Sequence, residues 1–133
     1  MGKIILAYIA TAVVFFVIDI VWLGFVAKDL YQRHLGSLLK PDVNWIAGGI
    51  FYLLYIAGIL IFSVYPAVNR DSFTHALIMG ALFGFFAYAT YDLTNLATLR
   101  DWPMAISLID IAWGVCLTGA VSSISFFIVR LLR

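Results

Sequence analysis

The chain has 133 residues, 65% of them hydrophobic and 11% charged, with a net charge of +1. With a mean hydropathy of +1.07, that composition excludes a soluble globular domain, which would lack the polar surface to cover itself. The eight Lys and Arg are scattered and build no basic stripe, so nucleic acid is excluded as a partner.

In chain order, four apolar runs are long enough to cross a bilayer. The first, Ile4 to Val26, contains Ala10-Thr11-Ala12, which imitates a signal-peptide cleavage site. It runs far past the length of a signal's apolar region and reads as a span. The loop from Ala27 to Asn44 is the one connection long enough for structure of its own. Within it, Leu30, Tyr31, Leu35, Leu38 and Leu39 among polar residues predict a short interfacial helix over Asp29–Leu39. The second span, Trp45 to Tyr65, follows Lys40-Pro41-Asp42-Val43-Asn44, which offers a turn and two candidate N-caps. The connection Pro66 to Ser72 leads into the third span, Phe73 to Leu96. Asp101-Trp102-Pro103 then supplies a cap acid and a first-turn proline for the fourth, Met104 to Val129.

An open sheet cannot satisfy its backbone in lipid, and four strands cannot close a barrel. The expectation is therefore an all-α polytopic membrane protein, a single domain folded as a four-transmembrane-helix bundle. An even number of spans puts both termini on one side. Lys3, Arg70, Arg130 and Arg133 on that side balance Lys28, Arg33, Lys40 and Arg100 on the other, so positive charge does not orient the bundle. A dual-topology protein would show the same tie.

Gly80 and Gly84, extended by Ala76, form a small-xxx-small series, and Gly48, Gly49 and Gly58 supply small residues to the second span. All predict close helix approach. Trp45, Tyr65 and Trp102 lie at span ends, where an aromatic belt is expected. Cys116, the one cysteine, reads as a small hydrophobic residue.

All seven acids are aspartates. Asp29, Asp42, Asp71 and Asp101 belong to loops and caps, which leaves Asp19, Asp92 and Asp110 inside spans. Two of these sit in a repeated pattern, Ile18-Asp19-Ile20-Val21-Trp22 and Ile109-Asp110-Ile111-Ala112-Trp113. Asp19 and Asp92 lie near the ends of their spans, whereas Asp110 lies near the start of one running the opposite way. At ~1.5 Å per helical residue all three fall in the same half of the bilayer. A central charge costs about 2.5 to 3.5 kcal/mol on insertion scales, and no Lys, Arg or His lies at that depth to neutralise them.

The acids must therefore be protonated, face a wet cavity, or hold a cation or polar ligand, and their neighbours predict an inward face. Asp110, Gly114, Thr118 and Ser122 form one stripe, Gly84, Tyr88, Asp92 and Asn95 a second, and Thr11, Phe15, Asp19 and Trp22 or Leu23 a third. The candidate ligand-binding residues are Asp19, Trp22, Tyr88, Asp92, Asn95, Asp110 and Trp113, with the three aspartates as oxygen ligands if a metal cation binds. Against this stands a structural role: an intramembrane Asp also glues helices by accepting a hydrogen bond, and Trp22 and Trp113 are placed to donate. His34 and His75 are too far apart in depth for a zinc site.

Tyr88 to Thr98, then Asp101-Trp102-Pro103, then Asp110 to Gly114, resemble an uncharacterised bacterial family of predicted membrane proteins, domain of unknown function 2177. The resemblance covers most of the chain and implies a small four-helix protein of the bacterial cytoplasmic membrane. It carries no activity, cofactor or ligand with it.

Three functions fit these residues. The first is a protein that binds or translocates a proton, metal cation or small cationic solute; by analogy with small multidrug exporters it would work as a homodimer. The second is a binding protein or enzyme for a lipid-soluble molecule such as an isoprenoid, with an acid pair as general acid and base. The third is a structural or assembly subunit.

Overall fold

The computed structural model describes residues 1–133 and contains only helices. Four are long and apolar enough to cross a membrane: α1 (Gly2–Val26), α3 (Trp45–Asn69), α4 (Phe73–Thr98) and α5 (Met104–Leu132). A short helix, α2 (Leu30–Leu35), lies in the first loop. The protein is an all-α, multi-pass membrane bundle.

Helix ends follow from local chemistry. The Asn44 side chain accepts from the Ala47 N–H at 3.1 Å and caps α3, and the Ser72 hydroxyl accepts from the His75 N–H at 3.1 Å and caps α4. The fourth span departs from expectation, because Pro103 itself occupies the cap position and no side chain caps the helix. Asp101 is instead a turn residue with φ of 60°.

The second span also continues past Tyr65 through Pro66 to Asn69. Leu60–Val64 winds as a π-turn in which the Tyr65 N–H bonds to the Leu60 carbonyl. That widened turn takes up the step where Pro66 would otherwise clash with the preceding carbonyls. The helix then closes on Asp71, φ 49°, with Asp71 N–H to Val68 O at 3.1 Å and Ser72 N–H to Ala67 O at 3.0 Å. This pair of bonds is a Schellman turn, and it leads straight into the Ser72 cap.

The expected 29–39 helix shortens to Leu30–Leu35, since Gly36 and Ser37 hold a helix poorly and the Leu38 and Leu39 N–H groups both fold back onto the Leu35 carbonyl. Nor does it lie free on the interface. Leu35 and the neighbouring Ala27 are buried, so α2 docks its apolar side on the end of the bundle.

α4 and α5 pack most intimately. A Cβ on Gly84 would run into the Gly114 carbonyl and Thr118, and one on Gly80 into Ser122, so the small-xxx-small series brings the two backbones together as expected. Gly58 accepts the Phe83 ring, with a Cβ there only 2.6 Å from Cζ. Gly48 and Gly49 meet nothing within 4 Å and serve no helix contact. Phe15 of α1 sits at the core, edge-on to Tyr52 and Tyr55 of α3 at 5.7 and 5.9 Å between ring centroids. α3 buries its second half, from Tyr55 through Val68, while Trp45 to Leu54 stay mostly exposed. Val17, Ile20, Leu54, Phe86, Leu108 and Cys116 point outward, as a surface solvated by lipid tails requires.

Candidate functional site

The spans run alternately, so the end of α1, the start of α3, the end of α4 and the start of α5 share one half of the bundle. Asp19, Asp92 and Asp110 each stand about 10 Å from that end at ~1.5 Å per residue. α4 and α5 turn Asp92 and Asp110 to the same contact face, and α1 turns Asp19 to Trp113 of α5.

The two copies of the Ile-Asp-Ile-x-Trp pattern interlock. The Trp113 indole N–H donates to Asp19 Oδ1 at 3.4 Å, so the tryptophan of one copy serves the acid of the other. In the reverse direction the Trp22 N–H donates to the Tyr31 hydroxyl at 3.3 Å, and Tyr31 donates to Asp110 Oδ1 at 2.7 Å. The two indoles stack with centroids 4.4 Å apart and planes 9° from parallel. α1 and α5 run antiparallel, which gives the exchange its reciprocal form.

Tyr31 belongs to α2, outside the spans. Burial, then the bond to Asp110, push its phenol above the ordinary value near 10 and hold it as a neutral donor. It is a site residue that the sequence pattern did not single out. Its signal was faint: of the seven tyrosines it alone lies outside the spans.

Asp92 is fully buried, with 0% exposure, and no protein N–H or O–H reaches either carboxyl oxygen. Tyr88 packs against Gly114, and on these antiparallel helices that contact sets Asp92, one turn further along α4, opposite Asp110, one turn earlier on α5. Below Asp92, the Trp102 N–H donates to Ser107 Oγ at 3.0 Å, and Ser107 donates to the Asp92 backbone carbonyl at 3.0 Å. Trp102, half-buried at its span end, thus braces the Asp92 backbone through Ser107, while Trp45 is exposed at its own span end.

Tyr88 lies over Gly114, where a Cβ would collide with its ring, and lines the same cavity as Asp110. Asn95, one turn beyond Asp92, is half-buried and stays outside the hydrogen-bond network of the acids. No three His, Cys, Asp or Glu side chains converge closely enough to hold a metal ion, so the acids are not arranged as a ready metal shell.

Beside the cluster opens a cavity of about 590 Å³ between the exposed half of α3 and α4. Ala47, Gly48, Phe51 and Tyr55 form one wall, Ala87, Tyr88 and Tyr91 the other, and Asp110 is the one carboxylate in the lining. Gly48, expected at a helix contact, instead leaves this wall open. Tyr55 hydrogen bonds with Thr118 at 2.7 Å, which fixes its ring against the cavity.

The profile of a family described as predicted membrane protein, DUF2177, matches residues 4–127. The chain belongs to this family. The match takes in Tyr88 to Gly114, which carry the resemblance, and nearly all the rest of this chain. No curated protein and no solved structure matches it.

Proposed function

We propose that this DUF2177 protein binds a small, lipophilic organic cation in the aromatic cavity, with Asp110 as its countercharge, and presents it for movement across the membrane. One observation carries this: a cavity of about 590 Å³ walled by Phe51, Tyr55, Tyr88 and Tyr91 has a single carboxylate, and no basic side chain, in its lining. Aromatic faces attract cations through their quadrupole, and the attraction grows where water is excluded. A carboxylate beside them adds charge neutralisation. The same acid without a ligand would be one of three carboxyls at membrane depth with no cation nearby.

The test is equilibrium binding of tetraphenylphosphonium to the protein in lipid nanodiscs, against farnesol as a neutral lipid-soluble alcohol. Saturable binding of the phosphonium, weakened about tenfold or more by Asp110→Asn, is expected; tenfold corresponds to ~1.4 kcal/mol. Saturable farnesol binding with none of the phosphonium would replace this function with that of a binder of neutral lipids. Binding of neither would leave the structural or assembly role.

A further inference from the structure

We propose that Asp92 and Asp110 hold one proton between them and that a cation entering the cavity displaces it, so that the protein exchanges an organic cation for a proton. This rests on the cation-binding function above.

Buried polar atoms are almost always partnered, yet both oxygens of Asp92 are sealed from solvent without a donor from the protein. The carboxyl that the α4–α5 register sets opposite it is that of Asp110. Two carboxylates repel and offer each other no hydrogen, whereas a carboxylic acid and a carboxylate are joined by one short O–H···O bond. The proton is the missing donor.

The surroundings leave it no competitor. Around the pair stand Asp19 of α1, held by Trp113 one turn from Asp110, Tyr31 of α2, bonded to Asp110, and Tyr55 of α3 with Tyr88 and Tyr91 of α4, which share the cavity with Asp110; all are acids or phenols. Arg33 and His34 of α2 are exposed and bond to backbone carbonyls of their own segment, Asp29 O and Leu30 O. No cationic side chain therefore neutralises the pair.

The two members differ in access. Asp92 is enclosed, while Asp110 lines the cavity and keeps Oδ1 on Tyr31. A cation seated against Asp110 supplies the charge that the proton supplied. The O–H bond then breaks and the proton leaves through the cavity to water, so the site carries the same net charge with the cation bound as it did with the proton. Asp110 is the cation's contact, and Asp92 is a positioning residue that couples the contact to the proton.

The experiment is calorimetric titration of tetraphenylphosphonium into nanodisc-held protein, in buffers of different ionisation enthalpy and across pH. About one proton should be released per cation bound, and Kd should fall about tenfold per pH unit while the pair holds its proton. In Asp92→Asn the amide donates to Asp110 permanently, so binding should persist with no proton release and no pH slope. Wild-type binding without proton release, or release that survives in Asp92→Asn, overturns the exchange.

Infrared difference spectra on raising the pH test the shared proton without any ligand. The carbonyl stretch of a protonated carboxylic acid should disappear in the wild type and be missing from Asp92→Asn. An absent wild-type band overturns the shared proton whether or not a cation binds. A present band with no cation binding overturns the exchange through its cation half, and places the failure in the cation-binding function.

Discussion

Tyr31 shows how much one side chain decides at this site. Its hydroxyl donates to Asp110 and accepts from Trp22, so a single phenol ties the first loop, α1 and α5 together. Tyr31→Phe keeps the ring but leaves Asp110 without this donor and the Trp22 N–H without its acceptor; a loss of about 1 to 3 kcal/mol is expected, read as a lower thermal midpoint in detergent. The pH dependence has a definite sign. Tyr31 ionises near 10 when unfolded and higher when folded, because burial and Asp110 disfavour the phenolate. The stabilisation is complete below pH 10 and is lost as pH rises through the folded value. Unfolding of the wild type at alkaline pH should be shallower in Tyr31→Phe. Asp19, Asp92 and Asp110 were legible as candidates from their places in apolar runs, since an acid in a lipid-soluble helix needs a reason. Tyr31 was not, because a tyrosine in a loop is ordinary until the loop folds back onto an acid 79 residues away.

Among the elements, the α4–α5 pair holds the site in register. The stripe Asp110, Gly114, Thr118 and Ser122 faces the stripe Gly80, Gly84, Tyr88 and Asp92, with glycine on one helix opposite a larger group on the other. Gly84→Val would drive a branched side chain into the Gly114 carbonyl and Thr118. The expected cost is about 1 to 3 kcal/mol or more, with loss of tetraphenylphosphonium binding as the helices separate. Gly49→Ala makes the control: a methyl there meets no atom within 4 Å, and alanine favours helix by about 0.5 to 1 kcal/mol, so the thermal midpoint should hold or rise. The contrast explains why small residues were an uneven guide. Spacing alone places Gly48, Gly49 and Gly84 on apolar helices alike, and only the partner surface separates a packing notch from the open wall of a cavity.

For the molecule as a whole, the topology places both termini and the α3–α4 turn on one side, and α2 with the α4–α5 turn on the other. The Arg130–Asp71 contact at 3.1 Å, between the end of α5 and the turn before α4, fits that arrangement, although so exposed a pair adds little stability. Single cysteines at Ser37 and Asn69, in a Cys116→Ala background, should react with a membrane-impermeant maleimide from opposite faces of sealed vesicles. Labelling of each position from both faces would show dual insertion, which the even spread of Lys and Arg permits. Length and apolar runs were enough to determine four helices, and the position of each acid along its run predicted that Asp19, Asp92 and Asp110 would lie in the same half of the bundle, because bilayer thickness and helical rise constrain both. Which indole serves which acid, that Asp92 is sealed while Asp110 opens to a cavity, and that the cavity exists at all were decided only by tertiary structure. Those properties depend on rotation of each helix about its axis and on where α3 packs and where it does not, and contacts between distant residues set both.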